Sequence, residues 1–256
     1  MIEEGCGMMQ PVKLFCLPYA GGSSAIYARW KKYIDSSKIE LLPVELAGRG
    51  ARMELPLLDC MDEVVEDVYH TIKDKIGSGP FAFFGYSMGC LVSLELAHQV
   101  VQRTGRMPLY MCMAARKAPH LPGRKSPLHT LLPEQFEKEI IKLGGTSPEF
   151  FQDAELVRLF VPMLRADLKA LETYQFQPKS TRLTCDFSVL GGIQDDITLE
   201  ELSGWGQYTE GTCTTYQYEG GHFFLNDYSE AIVRHLQQTI EDALRGQKLL
   251  HHAALE

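Results

Sequence analysis

Several signatures of metal and nucleotide binding are missing from this 256-residue sequence. Its seven cysteines form no CxxC pair, and it contains no HExxH, no GxGxxG and no GxxxxGK[ST]. Zinc-protease, dinucleotide and phosphate-loop chemistry therefore lack their usual ligands. The odd number of cysteines gives no indication of a disulfide framework, and we expect reduced thiols. Neither a metal site nor a cofactor of its own is expected.

Long apolar runs and a basic excess are also absent. No run approaches the roughly 18 apolar residues of a membrane-spanning helix, and the N-terminus lacks the basic and apolar regions of a signal peptide. With 25 Lys and Arg against 33 Asp and Glu, the formal charge is −8, which excludes a uniformly basic surface for nucleic acid. We expect a cytoplasmic protein that binds neither membrane nor nucleic acid.

Short apolar segments alternate with helical patterns along most of the chain. Several of these segments are apolar without alternation, as parallel strands covered on both faces are. Asp59 and Ser229 are predicted N-caps of two of the intervening helices. The alternation predicts a mostly parallel sheet flanked by helices. The predicted strands are 13–19, 39–46, 81–85, 109–114, 185–190 and 214–218.

Strand patterns disappear over residues 120–180, where helical patterns at 133–143 and 154–174 follow one another. This segment is predicted as a helical insertion between core segments 12–119 and 181–245, with extensions at 1–11 and 246–256. Its second helix contains Pro162, a predicted kink, and an apolar stripe that is either core or a substrate-lining face. The stripe consists of Leu156, Phe160, Leu164, Leu168 and Leu171.

The strongest local motif is GYSMG at residues 85–89, between an apolar strand segment and a helical segment. A sharp strand-to-helix turn forces the central serine into strained dihedrals, and small residues two positions away leave room for the neighbouring backbone. Ser87 is therefore a candidate nucleophile. The alternative, a serine in an ordinary tight turn, is disfavoured by the context.

A serine nucleophile needs a base and an orienting carboxylate, which follow it in the order Asp, His in folds with such a turn. Asp195 and Asp196 follow a predicted strand and a glycine pair, and so does His222. Loops at strand ends would present these side chains at one edge of the sheet. Either aspartate fits this pattern.

An oxyanion hole needs one backbone N–H just after the nucleophile and one from the loop after an early strand. Met88 supplies the first. Ala20 is the predicted second donor, because the glycine pair that follows it lets the backbone approach a ligand. An ordinary glycine turn is the alternative.

Taken together, the motifs resemble the type II thioesterases, discrete α/β-hydrolases that accompany non-ribosomal peptide and polyketide synthases. The resemblance covers about residues 12–245. It is carried by LPYAGGSS at 17–24, PVELAGRG at 43–50, FFGYSMG at 83–89, LGGTSPEF at 143–150, VPMLRADLKALETY at 161–174 and YEGGHFFL at 218–225.

The resemblance implies an α/β-hydrolase fold in which the insertion is a lid. It implies Ser87 as nucleophile, His222 as base, and Asp195 as orienting acid, because the family aspartate lies ten residues before a tryptophan, as Asp195 does before Trp205. The implied activity is hydrolysis of wrong or stalled acyl groups from the phosphopantetheine arm of carrier proteins, by a monomer. The rivals are another esterase or acyltransferase of this fold, and a non-catalytic binding protein.

Acidic residues are missing from 96–133, which carries six basic residues and a charge of +6. A solvated face is the ordinary explanation of such a run. Because the carrier proteins implied by the resemblance are acidic and the run leads into the lid, we predict instead that part of it docks the carrier. The predicted docking residues are Arg116, Lys117, Arg124 and Lys125.

Overall fold

A six-stranded parallel sheet organises the computed structural model, which describes residues 10–77, 79–123, 126–179 and 181–253, with the backbone alone for 247–253. The strands are β1 (Val12–Leu17), β2 (Ile39–Pro43), β3 (Phe81–Tyr86), β4 (Tyr110–Ala114), β5 (Asp186–Gly192) and β6 (Cys213–Tyr218). Their order in space is β2-β1-β3-β4-β5-β6, and every neighbouring pair is parallel. The predicted α/β fold with a parallel sheet is confirmed.

Helices cover both faces of this sheet. They are α1 (Met61–Ile76), α2 (Met88–Thr104), α3 (Pro133–Lys142), α4 (Ala154–Thr173), α5 (Leu199–Ser203) and α6 (Ser229–Ala253). Short 3-10 segments lie at Ser24–Lys32, Gly50–Arg52, Leu128–Thr130, Pro148–Gln152, Gly204–Tyr208 and Phe224–Asn226. One apolar cluster joins α1 and α2 to the sheet, and a second joins α6 and the Ser24–Lys32 segment to its other face. The central strands β3 and β4 are consequently buried along their whole length.

The two predicted helix caps differ from the observed ones. The residue that precedes α1 is Cys60, whereas Asp59 forms an ion pair of 2.6 Å with Lys169 of α4. Ser229 is itself the first residue of α6, and its hydroxyl donates to the carbonyl of Leu225 at 2.7 Å. Both helices begin within two residues of the predicted start.

Helices α3 and α4 lie between β4 and β5, within the predicted insertion. They share a small apolar cluster that includes Phe136, Ile140, Leu164 and Leu168. At Leu156 the stripe is not core, because this residue is 45% exposed in the first turn of α4 and lies outside this cluster. The helix continues through Pro162, and α6 continues to Ala253 through most of the predicted C-terminal extension.

The strand order places a topological switch point between β1 and β3. Chain connections leave these two neighbours in opposite directions across the sheet, so a crevice forms outside their carboxyl ends, where ligands bind in open α/β sheets. The loops after β1 and β3 contain the predicted oxyanion donor and the predicted nucleophile. In the described part of the chain, no helix is long and apolar enough to cross a membrane.

Candidate active site

Ser87 forms the turn between the end of β3 and the start of α2. Its backbone has a φ of 52° and a ψ of −110°, a conformation that non-glycine residues rarely adopt. The Ser87 N–H donates to the carbonyl of Ala114 in β4 at 2.8 Å, which anchors the turn. This is the strained strand-to-helix turn that the GYSMG motif predicts.

The two glycines of the motif are required by close backbone packing. A Cβ on Gly85 would lie 2.4 Å from the carbonyl oxygen of Gly89, and one on Gly89 would lie 2.3 Å from the carbonyl oxygen of Leu17. The first turn of α2 therefore lies directly against the end of β1. This approach brings Met88 close to the loop that contains Ala20.

His222 and Asp195 lie on loops that follow β6 and β5. His222 Nε2 is 3.0 Å from Ser87 Oγ, and its Nδ1 is 2.8 Å from Asp195 Oδ2. The Asp195 side chain is 7% exposed, whereas Asp196 is exposed. The three side chains form one contact chain, and the structure brings together Asp195 rather than its neighbour.

Backbone contacts hold these two loops against each other. The N–H groups of Ile193 and Gln194 donate to the carbonyls of Tyr218 and Gly220, both at 2.9 Å. Because a Cβ on Gly192 would lie 2.4 Å from the carbonyl oxygen of Gly221, no larger residue fits at that point without movement. The separation of Asp195 and His222 is thus fixed by the backbone.

Tyr86 is a site residue that the sequence analysis missed. Its hydroxyl donates to the carbonyl oxygen of His222 at 2.5 Å, and burial raises the pKa of this phenol. The residue just before the nucleophile thus supports the loop of the base. Its position inside the GYSMG motif was the available signal, but a tyrosine there has no functional meaning without the fold.

The turn that contains Ala20 leaves one N–H available. Gly21 donates its N–H to Asp167 Oδ2 at 2.7 Å, and Gly22 donates to the carbonyl of Tyr19 at 2.8 Å. The Ala20 N–H has no acceptor among the described residues. Met88 is the first residue of α2, where an N–H has no partner within the helix. These two donors suit an oxyanion hole beside Ser87.

Aromatic side chains surround the mouth of this site. Tyr19 and Phe223 pack edge to face with ring centroids 5.1 Å apart, next to His222. A Cβ on Gly145 of the insertion would lie 2.3 Å from the Phe223 ring, and Phe160 of α4 lies against Gly21. The insertion therefore lies directly over the loops of the predicted oxyanion hole and base, the place that a lid would occupy.

Two of the predicted docking residues, Arg116 and Lys117, are in contact with other parts of the protein. Arg116 is only partly exposed, burial lowers its pKa, and its buried Nε has no hydrogen-bond partner in the described residues. This partial burial disfavours Arg116 as a docking residue, and its role stays a prediction. Lys117 forms an ion pair with Glu201 at 3.2 Å. Arg124 and Lys125 lie outside the described residues.

The family model of the thioesterase domain matches residues 12–240. The chain belongs to the thioesterase family. Thioesterase PikA5 of Streptomyces venezuelae is 40% identical over 218 residues, which cover 84% of this chain and 76% of that protein. Linear gramicidin dehydrogenase LgrE of Brevibacillus parabrevis is 35% identical over 239 residues, with 92% and 90% covered.

Solved structures agree with this assignment. The type II thioesterase BorB from the borrelidin biosynthetic cluster is 31% identical, with a TM-score of 0.80 and with 90% of this chain and 93% of BorB covered. The resemblance to type II thioesterases is thereby confirmed. This thioesterase has the α/β-hydrolase fold that the motifs implied.

Proposed function

We propose that this thioesterase removes wrong or stalled acyl groups from the phosphopantetheine arm of carrier proteins in non-ribosomal peptide or polyketide synthesis. The observation that carries the proposal is the contact chain from Ser87 to His222 to Asp195 at the switch point of the sheet. Its order and distances suit a nucleophile, a base and an orienting acid.

The first half of the reaction forms an acyl-serine. Asp195 accepts the Nδ1–H of His222 and leaves Nε2 free to take the proton of Ser87. The serine oxygen attacks the thioester carbonyl carbon, and the N–H groups of Ala20 and Met88 hold the resulting oxyanion. As the tetrahedral intermediate collapses, the C–S bond breaks, and the pantetheine sulfur leaves as a free thiol with the proton that His222 took from Ser87.

The second half returns the free enzyme. A thiol with a pKa of about 8.5 is a good leaving group and requires little help from an acid. Water then attacks the acyl-serine while His222 takes its proton. The bond between the acyl carbon and Ser87 Oγ breaks, Ser87 recovers the proton from His222, and the acid product leaves. The chain contributes no cofactor in this scheme, because the phosphopantetheine arrives with the substrate.

The relative LgrE is named a dehydrogenase, and that name describes LgrE alone. Dehydrogenation is therefore the second activity to compare with the features of this chain. Hydride transfer from a nicotinamide requires a dinucleotide site, and this sequence contains no GxGxxG. At the switch point, where a dinucleotide would lie, the chain instead has Ser87 and the Tyr19–Gly22 turn. These features favour hydrolysis.

Substrate preference tests the proposal. We expect kcat/KM to be highest for an acyl-carrier thioester, lower for the same acyl group on free pantetheine, and lowest for the matching oxygen ester. If the carrier docks partly through charges such as Lys117, added salt should narrow the difference between carrier and pantetheine. A preference for the oxygen ester, or acyl transfer to an added amine or alcohol in place of water, would contradict the proposal.

A further inference from the structure

An ion pair between the lid helix and the loop after β2 is buried beneath the insertion. Arg49 and Asp167 are 118 positions apart, and their side chains are 4% and 1% exposed. Arg49 Nη1 donates to Asp167 Oδ2 at 2.6 Å and Nη2 donates to Oδ1 at 2.7 Å, so the pair is bidentate. None of the proposed catalytic steps uses it.

Both members of the pair also bind the turn that follows Ala20. Asp167 Oδ2 accepts the Gly21 N–H at 2.7 Å, and Arg49 Nη1 donates to the carbonyl of Gly22 at 3.0 Å. The Gly21 N–H belongs to the Ala20–Gly21 peptide, and the Ala20 N–H belongs to the preceding Tyr19–Ala20 peptide. The carbonyl oxygen of Tyr19 accepts the Gly22 N–H at 2.8 Å, so both peptides are parts of one turn. Without the carboxylate, the Ala20–Gly21 peptide would lose its contact with α4, and the turn that sets the direction of the adjoining Ala20 N–H would lose an anchor.

A buried ion pair is not needed merely to hold the lid helix against the core. Burying two charges is costly, and apolar side chains of similar size often stabilise a protein as well or better. Helix α4 is also attached to the core by the exposed pair of Lys169 and Asp59, at 2.6 Å, which does not reach the turn. The feature that distinguishes the Arg49–Asp167 pair is its contact with the two residues after Ala20.

We propose that Asp167 and Arg49 are positioning residues that hold the Ala20 N–H in place for the oxyanion. Because Asp167 belongs to α4, this makes the oxyanion hole complete only when the lid helix is seated on the turn. The proposal rests on the proposed function, in which Ala20 stabilises the tetrahedral intermediate.

Asp167→Asn tests the proposal, because it keeps the size of the side chain and removes the charge. We expect kcat to fall about 10- to 100-fold, with little change in KM, since the loss concerns the transition state. The inhibition constant of a trifluoromethyl ketone analogue, which forms a tetrahedral adduct on Ser87, should rise by a similar factor. The dissociation constant of a non-hydrolysable amide analogue should not change. If Asp167 only stabilised the fold, its loss would change the affinities for the two analogues by the same factor.

Two matched variants serve as controls. Asp67→Asn breaks another bidentate pair, with Arg52 at 2.7 Å, and Asp59→Asn breaks the other ion pair of α4. Neither pair contacts the turn at Ala20. We expect both variants to keep kcat within about threefold of the wild type, since partly exposed pairs contribute little.

A folded Asp167→Asn enzyme with unchanged kcat and unchanged analogue affinities would overturn the proposal, and so would equal losses for both analogues. If that variant does not fold, Arg49→Lys is used instead, because it keeps the positive charge. It should also weaken binding of the ketone analogue and leave binding of the amide analogue unchanged, with a smaller factor than Asp167→Asn. If neither folds, amide exchange of Gly21 in the wild type decides: slow exchange supports the anchor and fast exchange contradicts it. Failure of the proposed function is distinguishable, because Ser87→Ala would then retain turnover.

Discussion

Asp195 and Asp196 are adjacent in the chain but differ in their surroundings. Only Asp195 contacts His222, and it is nearly buried, while Asp196 faces solvent. We expect Asp195→Asn to lower kcat/KM by about a thousandfold or more, because the amide cannot hold the imidazole in the required tautomer or stabilise its charged form.

Asp196→Asn is the matched control, with the same chemical change one residue away. Its kcat/KM should stay within a few-fold of the wild type. Steady-state kinetics on one thioester substrate, with melting temperatures to verify folding, would measure both. Equal losses or the reverse order would show that the contact with His222 is not the one that matters.

The sequence predicted the side chains that lie in local motifs and missed those defined by distant contacts. Ser87 and His222 follow from a motif and from strand ends. Arg49 and Asp167 are separated by 118 positions, and no local pattern indicates that they meet. The surroundings of Arg116 could not be predicted for the same reason, since its charge in the sequence does not reveal that its Nε is buried.

At the scale of elements, the strands were predicted within a few residues because burial on both faces leaves a continuous apolar pattern. Strand β2 ends at Pro43, three residues before the predicted end. Beyond it, the carboxylate of Glu45 accepts hydrogen bonds from Ser24 instead of continuing the sheet. Side-chain contacts of this kind decide where a strand ends, and they cannot be predicted from the pattern of apolar residues.

The first turn of α2 gives a prediction at this scale. A Cβ at Gly89 would lie 2.3 Å from the carbonyl oxygen of Leu17, so Gly89→Ala must push α2 away from β1. We expect a loss of stability of about 1–3 kcal/mol, as for other overpacked sites. Activity should fall further than stability explains, because Met88 and Ser87 move with the helix. Chemical denaturation and steady-state kinetics measure the two effects.

Gly246→Ala is the matched control, a glycine-to-alanine change inside α6. A Cβ there has no heavy atom within 4 Å. Alanine is a better helix former by up to about 1 kcal/mol, so stability should be equal or higher. A Gly89→Ala enzyme as stable and as active as Gly246→Ala would contradict the packing that we describe.

At the scale of the whole molecule, the order of the strands assembles the site. Loops after β1, β3, β5 and β6 converge at one edge of the sheet, so residues from positions 20 to 222 meet there. The alternation of strands and helices predicts a parallel sheet, but not this order. The resemblance to a known family implied the α/β-hydrolase fold, but neither it nor the alternation indicated that the lid helix contacts the turn at Ala20.

The most direct test of the central claim is intact-mass spectrometry of the enzyme mixed with a slowly hydrolysed acyl-carrier thioester. We expect a mass increase equal to the acyl group, located on Ser87 by peptide mapping and absent from Ser87→Ala. The adduct should disappear as free acid accumulates, in keeping with a covalent intermediate. Turnover without any adduct on Ser87, or an adduct that persists in Ser87→Ala, would contradict the claim.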